Sequence, residues 1–276
     1  KTGEWLLDPT DISIVSGGYT QFIGDPFDPL TNSTITDSDI NTALSSSSLT
    51  IQTGYGTGGY GGITMTGAII SHGYGNSLSL LAFGGGGASD GNISIQNSQI
   101  VLNGGGNLTM IAGWDGTAAP TSANVIANRG NMAIADSFVL ANNVLLAGGA
   151  DLFIGAASAT KPTQVISAGT MEVVGRNITL RGGDGTFSGP MGRDVWLKSG
   201  GNQTLTTTGV SGEILLQAGS ANNTSYGGSG MYGGGVNVWS DAAQTVTAHS
   251  VWLQGGAAGH DSSASLTAYG NQTINI

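Results

Sequence analysis

Hydrophobic and polar residues alternate over short segments along nearly the whole chain. Each alternating segment spans three to five residues and is bounded by Gly, Asn or Ser. A period of two residues is typical of a short strand with one buried face, so these segments predict strands. Helical periodicity is nearly absent, and no helix is predicted. The alternating pairs are Ile12/Ile14, Leu49/Ile51, Ile63/Met65, Leu78/Leu80, Ile93/Ile95, Met132/Ile134, Met171/Val173, Ile214/Leu216, Val236/Val238 and Ile274/Ile276.

A longer repeat is superimposed on this alternation. The pattern apolar-x-Leu-x-[Gly/Ala]-Gly occurs at Ile100–Gly105, Val144–Gly149, Ile178–Gly183, Ile214–Gly219 and Val251–Gly256. Its central leucines are separated by 44, 34, 36 and 37 residues. Most copies precede a stretch rich in small and polar residues and then two more short strands, the second usually opened by Gly-Asn. Regular repetition of one such unit indicates a solenoid or an array.

The repeat predicts an all-β fold, a parallel β-helix with Gly-rich protruding loops. Three strands per unit suit one coil of a three-sided helix, whereas a β-propeller needs four strands per blade. Stacked coils bury the inward Leu, Ile and Val side chains in one continuous column. Two small coils per repeat fit the spacing as well. Residues 1–90 are expected to form less regular coils, continuous with the repeat region at 91–276.

The composition indicates a surface made of small and uncharged polar residues. Glycine supplies 49 of the 276 residues, and only 9% of the residues are charged. The net charge is −10 and Lys and Arg together number seven, so the chain lacks the basic stripe that nucleic-acid binding requires. There is no cysteine, and no apolar run is long enough to cross a membrane.

One segment resembles a known family. Residues 5–14, WLLDPTDISI, resemble the WLLDP-x-D-[IV]-x-I segment of large filamentous-haemagglutinin-like exoproteins of two-partner secretion. The Gly-Asn-Gln-Thr sequences at residues 201–204 and 270–273 also recur in such proteins. The resemblance implies a right-handed β-helix that is exported through an outer-membrane partner and folds at the bacterial surface. It implies an extracellular adhesin or fibre for attachment, aggregation or biofilm matrix, with no catalytic residues and no cofactor.

The two ends of the chain carry the candidate interaction residues. The sequence begins with the apolar Trp5-Leu6-Leu7 and finishes within a repeat, at Thr273, Ile274 and Ile276. Uncapped solenoid ends expose strand edges that invite pairing. We therefore expect these residues to contact either a second copy, end to end, or neighbouring segments of a longer exoprotein.

A polysaccharide-active enzyme is the main alternative, because some parallel β-helices cleave polysaccharides. A lyase needs clustered carboxylates and a basic residue that abstracts a proton. Four of the seven basic residues lie between Arg176 and Lys198, together with Asp184 and Asp194. The competing interpretation is a solvated charged surface.

A carbohydrate-binding module is the third hypothesis. Exposed aromatic faces suit carbohydrate, and the polysaccharide of a cell surface or matrix is the expected partner. Stacked aromatic side chains on the coils are the competing interpretation. The aromatic residues of the C-terminal half are Trp196, Trp239, Trp252, Tyr226, Tyr232 and Tyr269.

Several short motifs have simpler explanations. Asp90-Gly91, Asp115-Gly116 and Asp184-Gly185 suit calcium but lack the nonapeptide spacing of calcium β-rolls, so turns explain them better. The sequences GxGxxG at 54–59 and GxSxG at 87–91 are not followed by the helix that nucleotide binding or a nucleophile elbow requires. Asn-x-Ser/Thr sequences are acceptors for glycosylation, but they are also expected simply because Asn, Ser and Thr are abundant in turns. They begin at Asn32, Asn92, Asn107, Asn177, Asn202, Asn222, Asn223 and Asn271.

Overall fold

The computed structural model describes residues 6–7, 10–18, 21–22, 33–54, 60–85, 90–117, 119–156, 161–187, 193–223, 234–257 and 262–276.

The first part contains β1 (Leu6–Leu7), β2 (Ile12–Val15), β3 (Gln21–Phe22), β4 (Ser33–Thr36), helix α1 (Asp37–Leu44) and β5 (Leu49–Gln52). The middle contains β6 (Ile63–Thr66), β7 (Ile69–His72), β8 (Leu78–Phe83), β9 (Ile93–Gln96), β10 (Gln99–Leu102), β11 (Leu108–Trp114), β12 (Met132–Ala135), β13 (Phe138–Ala141), β14 (Val144–Gly148), β15 (Leu152–Gly155) and β16 (Thr163–Ser167). The last part contains β17 (Met171–Gly175), β18 (Ile178–Arg181), β19 (Gly185–Phe187), β20 (Val195–Ser199), β21 (Gln203–Thr207), β22 (Glu213–Gln217), β23 (Ala221–Asn223), β24 (Val236–Ser240), β25 (Gln244–Thr247), β26 (Ser250–Gln254), β27 (Ala264–Ala268) and β28 (Gln272–Asn275).

The strands form three long parallel sheets, so the predicted parallel β-helix is confirmed. Sheet A has the order β1-β5-β8-β11-β14-β17-β21-β25-β28. Sheet B has the order β26-β22-β18-β15-β12-β9-β6-β2-β4-β3, and sheet C has the order β27-β24-β20-β16-β13-β10-β7. The chain visits A, B and C in turn, so each circuit of three strands makes one coil. The sheets continue across residue 90, where the sequence suggested a change of regularity.

The alternating pattern places one row of side chains inside the column. Strands such as β5 and β16 have strictly alternating burial, and their inward residues are almost inaccessible to solvent. The inward side chains form one core cluster of buried residues that extends from Ile12 to Ala248. Since each coil buries its apolar residues against the coils above and below, the fold depends on stacking.

The register answers the question of one or two coils per repeat. Leu180 pairs with Leu216, and Leu216 pairs with Leu253, so the last three copies of the Leu-x-[Gly/Ala]-Gly pattern lie in register in sheet B. One repeat is therefore one coil. The first two copies are not equivalent to these, because Leu102 belongs to sheet C and Leu146 to sheet A.

The coils differ in length because their corners differ. From Val144 to its sheet A partner Met171 the chain needs 27 residues, and from Gln203 to its partner Gln244 it needs 41. The coils that begin with β17 and β21 carry Gly-rich loops between sheets B and C, whereas the coil that begins with β11 has its long connection between sheets A and B. These Gly-rich loops contain β19 and β23, which pair with each other in parallel and extend the stacking outside the column.

Helix α1 is the element that the sequence did not predict. Thr36 is its N-cap, and the Thr36 hydroxyl accepts a hydrogen bond from the Asp39 backbone N–H at 3.2 Å. The inward residues Ile40 and Leu44 are fully buried against the first coils. A helix of eight residues presents only two buried positions, so its periodicity is easily overlooked next to the strands.

Candidate functional site

The last coil leaves its inward side chains exposed. Val246 is fully buried in β25, but its sheet A neighbour Ile274 in β28 is 47% exposed. In sheet B, Leu253 of β26 is likewise 50% exposed, although its neighbour Leu216 is fully buried. We call the face formed by β26, β27 and β28 the open edge. Two of the predicted contact residues, Thr273 and Ile274, lie in β28, and Ile276 follows it at 75% exposure.

A ladder of glutamine side chains reaches the open edge. Gln203, Gln244 and Gln272 occupy the same inward position of β21, β25 and β28. The Gln244 amide donates to Gln203 Oε1 at 2.6 Å, and the Gln272 amide donates to Gln244 Oε1 at 2.6 Å. Gln203 and Gln244 are each only 1% exposed. The Gln of the Gly-Asn-Gln-Thr repeats is therefore a core residue, in a position where the preceding coil carries Met171.

At the opposite end of the column, strands β1 and β3 are the terminal strands of sheets A and B. Leu6 and Leu7 pair with Thr50 and Ile51 at the end of sheet A, whereas Trp5 lies outside the described residues. Strand β3 pairs antiparallel with β4 at the end of sheet B.

Helix α1 lies at the corresponding end of sheet C. Its side chains form the hydrogen bonds to β7 that a neighbouring strand would otherwise form. Asp37 Oδ2 accepts from the Ile69 backbone N–H at 2.9 Å, and Asn41 Oδ1 accepts from the Ser71 N–H at 2.8 Å. The Asn41 amide also donates to the Ile69 carbonyl at 3.0 Å. These bonds satisfy backbone groups of β7 that would otherwise form an open sheet edge.

The basic residues between 176 and 198 do not converge on one site. Arg176 follows β17 and forms a bidentate pair with Asp151, with Nη2 2.8 Å from Oδ2. Lys198 lies in sheet C and its Nζ is 3.7 Å from Asp241 Oδ2. Asp194 instead accepts a hydrogen bond from the Gly235 backbone N–H at 2.8 Å. Most of the predicted cluster is thus distributed over different sides of the column.

Asp184 lies close to two of the remaining basic residues. Its carboxylate accepts from the Ser220 backbone N–H at 2.8 Å and from Arg181 at 2.9 Å. These hydrogen bonds, with that of Ser220 foremost, hold the pKa of Asp184 below its usual value. Arg193 is 1% exposed, and its burial lowers the pKa of its guanidinium. Through the hydrogen bond from Ser220, Asp184 connects the loop that contains β19 with the loop that contains β23.

We expect the Arg176–Asp151 pair to make a small, pH-dependent contribution to stability. Hydrogen bonds from Arg176, and then from Asn177, lower the pKa of Asp151. A carboxyl with a lowered folded-state pKa stabilises the fold above its unfolded pKa, and this stabilisation is lost as the pH falls through the folded pKa. Arg176→Met should cost about 0.5–1 kcal/mol near neutral pH, because both side chains are partly exposed.

Denaturant unfolding of both proteins between neutral and acidic pH tests this expectation. The difference between them should shrink as the pH falls below the ordinary carboxyl range. Lys198→Met is the matched control, since its longer contact to Asp241 should contribute little. A difference for Arg176→Met that does not depend on pH would contradict the assignment.

The aromatic residues divide between two faces. Trp196 and Trp239 are half-buried on the outer face of sheet C, whereas Trp252 is 59% exposed on sheet B. The Trp239 indole N–H donates to Asp241 at 2.6 Å, and its ring meets that of Tyr269 edge to face at 4.9 Å. Tyr226 and Tyr232 lie outside the described residues.

The acceptor sequences for glycosylation coincide with the corners of the column. Asn92 and Asn177 each precede a strand of sheet B, and Asn107, Asn202 and Asn271 each precede a strand of sheet A. Apart from Asn271 in the last coil, their side-chain oxygens accept backbone hydrogen bonds from the next coil, as Asn92 does from the Asn131 N–H at 2.7 Å and Asn177 from the Glu213 N–H at 3.1 Å. The Asn-x-Ser/Thr sequence therefore recurs for structural reasons. Its Asn lies at the corner, its middle residue points inward, and its Ser or Thr points outward. Asn222 and Asn223 belong to β23, and Asn32 lies outside the described residues.

The remaining short motifs lie next to strands and turns. Gly91 and Gly116 have φ angles of 75° and 89°, which supports the interpretation of these two Asp-Gly pairs as turns. No group of three or more metal-ligating side chains occurs among the described residues. Residues 55–59 and 86–89 lie outside them, and the elements that follow these two segments are strands β6 and β9, not helices.

The architecture places the chain among the three-sided parallel β-helix proteins. No family model, no curated protein and no solved structure matches the sequence or the fold. Within the described residues, no helix has the length and apolar character needed to cross a membrane.

Proposed function

We propose that the chain is a structural segment of an extracellular bacterial fibre or adhesin. The observation that carries this proposal is the open edge, where apolar side chains and a glutamine ladder are presented in the positions that the next coil would cover. The largely uncharged polar composition and the low content of Lys and Arg suit a cell-surface or matrix protein. The proposal also includes the family that the sequence resembles, the filamentous-haemagglutinin-like exoproteins, and export through an outer-membrane secretion partner.

In this proposal the open edge stacks on another β-helical coil. Backbone N–H and C=O groups of β28 pair with a strand of the partner, and Ile274 and Leu253 are buried by the contact. Gln272 continues the ladder, since an amide both donates and accepts hydrogen bonds. For the purified chain the partner is a second copy, which uses either its own open edge or the end that carries Leu6 and Leu7.

Electron microscopy and sedimentation of the purified chain test this proposal. Nine strands of sheet A at about 4.8 Å spacing give a column of roughly 40 Å. Contact between two open edges should give particles of twice that length, and head-to-tail contact should give long fibres. Ile274→Glu should return the chain to single rods, because it places a charge in the contact.

Thr245→Glu is the matched control, because it adds the same charge to the outer face of sheet A one coil away from the open edge. Single rods of the unaltered chain at all concentrations would contradict the proposal. Equal loss of association in both variants would show that net charge, and not the edge, controls association.

A further inference from the structure

The outer face of sheet C carries a regular column of amide and aromatic side chains. Gln99, Phe138, Gln164, Trp196 and Asn237 are paired in register from β10 to β24. The residues that follow them in each strand, such as Val139, Val165 and Leu197, are fully buried in the core. The five residues therefore form one outward row along the axis of the column, in which amides alternate with aromatic rings.

A groove lies beside the first part of this row. It has a volume of about 540 Å³ and is lined by Gln99, Phe138 and Gln164 together with corner residues such as Asp136 and Lys161. The groove thus combines an aromatic ring with amides on both neighbouring coils. Amide groups supply donors and acceptors side by side, which is the pattern that hydroxyl-rich ligands require.

The distance between the aromatic residues of the row suits an extended ligand. Phe138 and Trp196 are two coils apart, which corresponds to about 9.6 Å at the spacing of neighbouring parallel strands. This distance is close to the length of a disaccharide unit in an extended β-linked polysaccharide. Successive disaccharides could therefore stack their apolar faces on successive rings while their hydroxyl groups meet the intervening amides.

The negative charge of the protein disfavours acidic polysaccharides and is compatible with a neutral one. The chain has a net charge of −10, which disfavours polyanionic polysaccharides. Lys198, which lies in the adjacent outward row, is paired with Asp241, and the groove itself contains one basic and one acidic residue, Lys161 and Asp136, so positive charge does not predominate there.

We propose that the amide–aromatic row on sheet C binds a neutral, extended β-linked polysaccharide, with the sugar chain parallel to the axis of the column. This assignment rests on the proposed adhesive function and names its ligand class. The proposed polysaccharide site lies on the side of the column, whereas self-association uses the open edge. An experiment can therefore contradict one of these two proposals without contradicting the other.

Calorimetric titration with cello-oligosaccharides of two to six sugars tests the assignment. Affinity should rise steeply between the disaccharide and the tetrasaccharide, because only the longer ligand reaches from Phe138 to Trp196. Phe138→Ala and Trp196→Ala should each weaken binding of the hexasaccharide roughly tenfold, as expected for the loss of one stacking contact. Dextran, which is α-linked, should not bind.

Phe153→Ala is the matched control, because Phe153 is a half-buried outward aromatic residue on sheet B. This variant should bind as the unaltered chain does, and circular dichroism should show all three variants folded. Failure of the unaltered chain to bind the hexasaccharide, or unchanged affinity in both sheet C variants, would overturn the proposal. Equal binding of dextran would overturn the selectivity for extended β-linked chains. The Ile274→Glu variant tests self-association at the open edge, and its result does not depend on whether polysaccharide binds to sheet C.

Discussion

Gly130→Ala should be among the most destabilising single-methyl changes in this chain. Gly130 has a φ of +69°, and a Cβ built on it would lie 1.9 Å from the Gly113 nitrogen and 2.3 Å from the Ala112 carbonyl carbon. Both neighbours are backbone atoms of β11, so no side chain can move aside. The left-handed conformation adds about 1–2 kcal/mol and the overpacking about 1–3 kcal/mol, so the total cost is about 2–5 kcal/mol.

Gly67→Ala separates the two contributions. Gly67 has a φ of +66°, but no atom lies within 4 Å of the position of its Cβ. The same substitution should therefore cost only about 1–2 kcal/mol, the penalty of the backbone conformation. Denaturant unfolding of the two variants measures the difference. Equal losses would mean that the close contact between Gly130 and β11 is relieved by backbone movement at little cost.

Gln244→Met should destabilise the column more than replacement of the whole glutamine ladder. The single change removes the donor to Gln203 Oε1, a buried polar atom that loses this partner, whereas the exposed Gln272 amide keeps its hydrogen bond to the Leu266 carbonyl. Such atoms cost about 1–3 kcal/mol each, whereas apolar replacement of every partner can be nearly neutral. The preceding coil already carries Met171 at this position, so the site accepts methionine.

The test is a thermodynamic cycle. Unfolding free energies are measured for Gln244→Met, for Gln203→Met and Gln272→Met, and for the triple variant. We expect the triple variant to be more stable than Gln244→Met alone, with a favourable coupling energy of about 1–3 kcal/mol. Strictly additive losses would indicate that each glutamine contributes by packing alone.

Strand positions could be predicted from the sequence because the physical signal is local. Alternation as in Ile93-x-Ile95 requires only that one face of a strand is buried, and β9 and most other predicted strands are confirmed. The Gly-Asn pair before Gln203 likewise marks a corner, since Asn202 Oδ1 accepts a backbone hydrogen bond from the next coil at Ala243.

Register was harder to predict because corner length varies. Leu102 and Leu146 match the Leu-x-[Gly/Ala]-Gly pattern, yet they belong to sheets C and A, since the pattern recurs wherever a strand meets a glycine corner. Only pairing with the neighbouring coil fixes the sheet.

Candidate sites were predicted least well, because they depend on contacts between distant coils. The pairs Arg176–Asp151 and Lys198–Asp241 join residues that are 25 and 43 positions apart. The sequence therefore grouped Arg176 with Lys198, which lie on different sides of the column. The amide–aromatic row was missed because its members come from five coils, and only the register aligns them.

Helix α1 gives the column a starting point for folding. A first coil has no folded neighbour to pair with, so ordering it costs conformational entropy with little return. By offering Asp37 and Asn41 to the edge of β7, the helix supplies that missing neighbour from a segment only 28 to 32 residues away in the chain. Each completed coil then serves as a template for the next. By contacting β7, the helix thus lowers the entropic cost of ordering the first coil, which has no other neighbour on that side in sheet C.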